Sequence, residues 1–120
     1  SNIYKYHPTI FFMRTKKEKT LFLEQFGDTP QIRVIDFMIA NHFFDFPLTA
    51  IARESNISYN SLKSFIDKFI VTGFLTKTRK VGKSDYYKLN LESQFVQNLM
   101  KLDWMLTKSF ALKKEEKIIA

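Results

Sequence analysis

The spacing of apolar residues along the chain predicts a mainly helical protein. Apolar side chains return every three to four residues in several stretches, which is the period of one face of an α-helix. After Pro30, for example, Ile32, Ile35, Met38 and Ile39 fall on one side. We expect helices over about 16–26, 30–41, 49–55, 59–72 and 92–111.

Capping signals set the ends of these helices. Thr15 and Glu18 have the spacing of a capping box ahead of the first helix. Pro30 follows Asp28 and Thr29, and proline is favoured at the first helical position because its missing N–H is not needed there. The other predicted caps are Thr49 and Ser58 at helix starts and Gly27 and Gly73 at helix ends.

Two segments are typical of strands rather than helices. Residues 74–80 and 85–89 are rich in β-prone residues and are joined by the short segment 81–84, which contains Gly82, so we expect a β-hairpin. The opening stretch, 1–14, is interrupted by Pro8 and is expected to be an extended arm. The predicted fold class is mainly α with a two-stranded β-hairpin, divided into 1–28, 29–90 and 91–120.

The last predicted helix carries more apolar surface than one small core needs. On a helical wheel, Val96, Met100 and Trp104 form one stripe. Asp103 lies within the apolar arc, where we expect it to pair with a lysine or a backbone donor. We expect half of this arc to meet a second copy of the chain, through a neighbouring stripe of five residues: Phe95, Leu99, Leu102, Leu106 and Phe110.

The segment 48–62 has the pattern of a helix-turn-helix. Small Ala52 allows two helices to approach closely, Ile57 fills the turn, and Ser58 caps the second helix. Leu62 and Ile66 would anchor that second helix to the core. The order of helices, turn and hairpin is that of a winged helix-turn-helix.

From Thr29 to Leu106 the chain resembles small archaeal-type regulators of the broad MarR/ArsR-like winged-helix superfamily. In that superfamily the turn commonly carries glycine where this chain has Asn56, a mild departure because asparagine tolerates the left-handed conformation. The resemblance implies a transcriptional regulator with a recognition helix, about 59–72, in the major groove of duplex DNA. A homodimer would place two such helices on a palindromic site.

The resemblance also implies which residues contact DNA. Asn60 suits adenine, and Lys63 suits guanine or a phosphate. At the tip of the hairpin, Arg79 or Lys83 is a candidate for the minor groove or the backbone. The full predicted set is Ser58, Tyr59, Asn60, Ser61, Lys63, Ser64 and Lys68 on the helix and Lys77, Arg79, Lys80 and Lys83 on the wing.

Charge adds weight to a polyanionic partner. The formal net charge is +7, and residues 59–90 hold seven lysines and arginines against two aspartates, so five of the seven net charges lie in about a quarter of the chain. The hairpin lysines could equally be a solvated strand edge. The aromatic residues of this region are expected to support the core and the wing rather than to stack on bases.

Other classes of protein find little support in the composition. The chain has no cysteine, and His7 and His42 lack any ligand-type neighbourhood, so we expect no metal and no cofactor. We see no phosphate loop or nucleophile motif and expect no enzyme. No apolar run could span a bilayer and no secretory signal is visible, so a cytoplasmic location is expected. The alternatives are a winged-helix protein-interaction module and a DNA-binding component of a plasmid partition or replication system.

Overall fold

The structure is a computed structural model that describes the backbone of residues 20–119 and the side chains of residues 20–113. The predicted N-terminal arm and the Thr15 capping box lie outside these residues. The described residues form five helices and three strands: α1 (Leu21–Phe26), α2 (Pro30–Ala40), β1 (Phe46–Pro47), α3 (Leu48–Glu54), α4 (Tyr59–Val71), β2 (Leu75–Val81), β3 (Ser84–Leu89) and α5 (Gln94–Ile119).

Local capping explains where α2 and α4 begin. Thr29 Oγ1 accepts a hydrogen bond from the N–H of Ile32 (3.2 Å), and Pro30 occupies the first turn as predicted. Ser58 Oγ accepts from the N–H of Ser61 (3.0 Å), which confirms the predicted cap of α4. These caps satisfy backbone donors that a helix cannot pair internally.

The predicted cap of α3 is wrong. Thr49 lies inside α3, which begins one residue earlier at Leu48 and has Pro47 at its N-cap without a side-chain hydrogen bond. The reason is that Pro47 is held in an extended conformation as part of β1, where it pairs with Tyr86. The backbone therefore turns into the helix directly after the strand.

The sheet has three strands rather than the predicted two, in the order β1-β3-β2, and both pairings are antiparallel. Phe46 of β1 pairs with Tyr87, and its ring lies 4.9 Å from that of Phe37 on α2. This packing holds the connection extended against β3. The β2–β3 turn is tighter than the predicted loop, since Val81 already pairs with Ser84 and Gly82 takes the left-handed conformation with φ 62°.

The core is built around α2 and α4 and closed by the strands. Phe37 on α2, Leu62 on α4 and Leu75 and Leu89 on the strands are almost fully buried. Burying each such side chain contributes roughly 1.5–3 kcal/mol relative to leaving it in water. The apolar face of α4 predicted from sequence is therefore the face that fixes this helix to the body of the protein.

Helix α5 leaves the core after its first turns. Its 26 residues correspond to a length of about 39 Å. Val96 and Met100 are buried, whereas no described side chain beyond Met100 is buried, up to residue 113. The helix starts at Gln94 and runs to Ile119, beyond the predicted end at Ala111, because its tail contains good helix formers and no glycine or proline.

Candidate nucleic-acid interface

The turn between α3 and α4 is held in place by backbone and side-chain bonds. The N–H of Ile57 donates to the carbonyl of Ala52 (3.0 Å), and Asn56 takes the left-handed conformation with φ 57°, as expected for asparagine at this position. Arg33 of α2 donates from Nη1 to the carbonyl of Asn56 (2.9 Å). The same guanidinium pairs with Asp28, which raises the Arg33 pKa.

Arg33 was not among the residues singled out from sequence. It lies 23 positions before Asn56, and no local pattern links the two. Its contacts tie the start of α2 to the turn that aims α4, so it positions the candidate reading helix. Its side chain keeps 28% of its exposure.

The first turns of α4 present polar side chains to solvent. Of the predicted contact residues, Tyr59, Asn60, Lys63, Ser64 and Lys68 are exposed and Ser61 is half-buried. On the opposite side the helix is anchored by buried residues. The exposed face begins at the helix N-terminus, where unpaired N–H groups and the helix dipole favour an anion.

Two contacts organise this exposed face. Lys63 Nζ lies 6.0 Å from the centre of the Tyr59 ring, one helical turn earlier, at the outer limit of a cation–π contact. Ser64 Oγ donates to the carbonyl of Ser61 (2.6 Å), which leaves its lone pairs available to a donor. Ser58, also predicted to contact DNA, is exposed, and its hydroxyl oxygen caps the helix.

The wing lysines and Arg79 differ from the predicted picture. Arg79 does not lie at the tip but within β2, and its guanidinium makes two bonds to Asp45 (2.9 and 3.2 Å). Lys77 and Lys80 approach Asp85 at 3.1 and 3.9 Å. Lys83 is the wing residue that lies in the turn, and within the described part of the chain it has no acidic partner.

Asp45 is a second residue that sequence reasoning missed. It precedes β1 and accepts hydrogen bonds from Thr78 (2.6 Å) and from Arg79. The bonds from Arg79 and Thr78 lower the pKa of this carboxyl group, and the same pairing raises the pKa of Arg79. The partners are 33 and 34 positions away, so the sequence carries no local signal for them.

The cations of the site therefore fall into two groups. All three arginines within the described residues are paired with carboxylates: Arg33 with Asp28, Arg53 with Glu54 and Arg79 with Asp45. Lysines 63, 68 and 83 have no such partner within the same residues. The surface that can neutralise a polyanion is thus made of lysine point charges rather than of free arginine forks.

The outer stripe of α5 is partly exposed. Phe95, Leu102 and Phe110 keep 59%, 45% and 49% of their exposure. Leu99 and Leu106 are half-buried, and Leu99 also packs against the core. Met105 and Leu112 extend the same apolar surface although they were not in the predicted set.

Asp103 lies on α5 in a half-buried position. The expected pairing is not observed, because no lysine or backbone donor among the described residues bonds to its carboxylate. Burial raises the pKa of this carboxyl group to about 6. It is the one carboxylate within the described side chains whose pKa shifts upward.

His42 is buried at the end of α2. Its Nδ1 lies 2.9 Å from the carbonyl of Ile39, and burial lowers its pKa. Among the residues that the structure describes, no cluster of three or more His, Cys, Asp or Glu side chains is arranged to hold a metal ion. No helix in residues 20–119 is long and apolar enough to cross a membrane.

The helix-turn-helix, the small antiparallel sheet and the long final helix define a winged-helix fold of the MarR-like kind. A solved structure with this fold is that of NadR, a MarR-family winged-helix regulator, in complex with 4-hydroxyphenylacetate. The two chains are 15% identical and superpose with a TM-score of 0.56, over 96% of this chain and 79% of NadR. No protein family model and no curated protein sequence matches the chain.

Proposed function

We propose that this protein is a sequence-specific duplex-DNA-binding transcriptional regulator that acts as a homodimer. The observation that carries the proposal is the two-sided character of α4. Its inner face is locked into the core by Leu62 and Ile66, while its first two turns expose a tyrosine, an asparagine, serines and a lysine. A rigid helix with a polar, cationic outer face is the usual reader of the major groove.

Each exposed group has a matching chemistry on DNA. The amide of Asn60 can bond adenine at N6 and N7, and Lys63 can reach guanine O6 and N7 or a phosphate. Ser61 and Ser64 suit phosphate or water-mediated contacts, and Lys68 suits phosphate. On the wing, Lys83 suits the DNA backbone or the minor groove.

Dimerisation supplies the second half of the recognition surface. The apolar stripe of α5 continues past the core, where its side chains keep about half of their exposure. A second copy packed on this stripe would be related by a two-fold axis and would bring a second α4 to the next turn of DNA. The archaeal type that the sequence resembles stays a hypothesis.

Specific binding can be tested by fluorescence anisotropy with duplex DNA from the region upstream of the protein's own gene and with a scrambled duplex. We expect tighter binding to the upstream duplex and a loss of this preference in Asn60→Ala, because base contacts rather than phosphate contacts carry sequence information. Equal binding of wild type to both duplexes would contradict sequence-specific regulation. A partition or replication component would share this chemistry and prefer sites elsewhere on the replicon.

A second candidate is a winged-helix protein-interaction module. The observation that favours it is the pair Phe43 and Phe44, which follow α2 and keep 53% and 59% of their exposure. Under this alternative the lysines of α4 only keep the protein hydrated. Absence of salt-dependent binding to any duplex, together with an intact fold, would favour this candidate over the regulator.

A further inference from the structure

The wing is fastened to the body of the protein by one carboxylate. Asp45 lies before β1 at one edge of the sheet, and its partners Thr78 and Arg79 lie on β2 at the other edge. Thr78 Oγ1 donates to Asp45 Oδ2 (2.6 Å), while Arg79 donates from Nε to Oδ2 (2.9 Å) and from Nη2 to Oδ1 (3.2 Å). We name these three residues with Tyr86 the wing clasp.

A β-bulge makes this reach possible. Lys77 pairs with Tyr87 and Arg79 with Tyr86, so Thr78 is an extra residue with no partner opposite it. Bulges re-aim side chains and bend the strand that carries them. Here the bulge lets the consecutive residues Thr78 and Arg79 both bond to Asp45.

The clasp also fixes the guanidinium of Arg79 above the intervening strand. Its central carbon lies 4.6 Å from the centre of the Tyr86 ring, within the range of a cation–π contact. A side-on pair between arginine and a carboxylate adds geometric specificity to the charge attraction. Arg79 is therefore bound on one side by Asp45 and covered on another by Tyr86, while 58% of its side-chain surface stays exposed.

We propose that Asp45 and Arg79 are positioning residues that set the angle of the wing, and that the wing contacts DNA through Lys83 rather than through Arg79. This inference rests on the proposed DNA-binding function. It assigns Arg79 a different role from the one expected from sequence. Lys83 lies in the β2–β3 turn and its position on DNA depends on how the hairpin leaves the body of the protein.

Asp45→Asn gives opposite results under the two roles. If Asp45 only neutralises a DNA-binding arginine, its removal frees a cation and DNA binding strengthens. If the clasp positions the wing, Asp45→Asn weakens binding by about fivefold, despite the more positive protein, and leaves the salt slope near that of wild type. Glu92→Gln is the matched control, because it removes one exposed carboxylate outside the clasp and should change affinity less than about twofold.

A double-mutant cycle separates the roles further. We expect Arg79→Gln to weaken binding about as much as Asp45→Asn, and the double variant to be no weaker than either single variant, because both changes open the same contact. Stronger binding by Asp45→Asn, or additive losses with a salt slope reduced by about 0.9 in Arg79→Gln, would overturn the proposal.

Amide hydrogen exchange of the hairpin tests the clasp without DNA. We expect exchange at residues 75–89 to be faster in Asp45→Asn than in wild type or Glu92→Gln, because loss of the clasp lets the hairpin open more often. Wild-type protein that binds no duplex would remove the proposed function, and the exchange data would then decide the clasp alone. Unchanged exchange in Asp45→Asn would overturn it.

Discussion

Helices α4 and α5 both leave one long face in contact with water, but the two faces differ in chemistry. The exposed face of α4 is polar and cationic, and its opposite face is fully buried. The exposed face of α5 beyond Met100 is largely apolar and has no buried side chain within the described residues. A polar face on a rigid support suits a hydrated polyanion, whereas an apolar face without support suits a second protein surface.

The two helices also differ in what holds them. Helix α4 is fixed by its cap, by the core and by the bonds of Arg33 at the preceding turn. Helix α5 is anchored by Val96 and Met100 in its first two turns, and along the rest of its length α1 is the neighbour that contacts it. Changes in α4 should therefore act on the fold of one chain, and changes in the outer part of α5 on the association of two.

The largest expected effect comes from the buried face of α4. Leu62→Ala should lower the free energy of unfolding by about 2–5 kcal/mol, because it opens a cavity at a fully buried position. Urea denaturation measures this loss. The matched change Leu102→Ala on α5 should cost the isolated chain less than about 1 kcal/mol, since that side chain is half exposed. Equal losses would erase the contrast between the two helices.

Asp103 provides a test through pH. Its pKa of about 6 in the folded chain lies above that of an unfolded aspartate, so the folded state holds the proton more tightly between about pH 4 and pH 6. The free energy of unfolding should therefore fall as pH rises through this window and stay lower above it. Asp103→Asn should remove this loss and raise stability at pH 7.5 by up to about 3 kcal/mol.

The control for this pH experiment is Asp67→Asn, which removes an exposed carboxylate on α4. Thermal unfolding at pH 4, 5, 6 and 7.5 should show a pH profile like that of wild type for this control and a flatter one for Asp103→Asn between pH 4 and pH 6. A profile of Asp103→Asn identical to wild type would show that the half-buried carboxylate is hydrated in the folded protein.

A smaller effect on one chain, but a clear effect on two, is expected at the outer stripe of α5. Leu102→Glu should weaken self-association at least about tenfold while the helical signal and the cooperative unfolding of the chain persist, because the charge would be buried only in the dimer. Light scattering over a concentration series measures the association. Leu99→Glu should instead disturb the fold as well, since Leu99 packs on the core. A Leu102→Glu protein that associates as tightly as wild type would remove this stripe from the interface.

Much of α4 could be predicted from sequence because its signals are local. Ser58 lies next to the helix it caps, Gly73 ends it in the left-handed conformation with φ 83°, and the apolar period shows which face is buried. The same is true of the left-handed Asn56 in the turn. These features need no knowledge of distant residues.

The parts that sequence did not show depend on distant partners. Strand β1 has two residues, too short for any alternation, and owes its extended state to β3 and to Phe37. The contacts of Arg33 with Asn56 and of Asp45 with Arg79 join residues 23 and 34 positions apart. The position of Arg79 was wrong because an arginine near a glycine turn gives no sign that a carboxylate before another strand will bind it.

The most direct test of the central claim is the salt dependence of DNA binding by wild type, by Lys63→Ala/Lys83→Ala and by the control Lys113→Ala on α5. Anisotropy titrations over several salt concentrations give the slope of log K against log salt, to which each phosphate contact contributes about −0.9. If both lysines contact phosphate, the double variant should lose about 1.8 from the magnitude of this slope and Lys113→Ala almost nothing. Equal slopes for all three proteins would contradict the account.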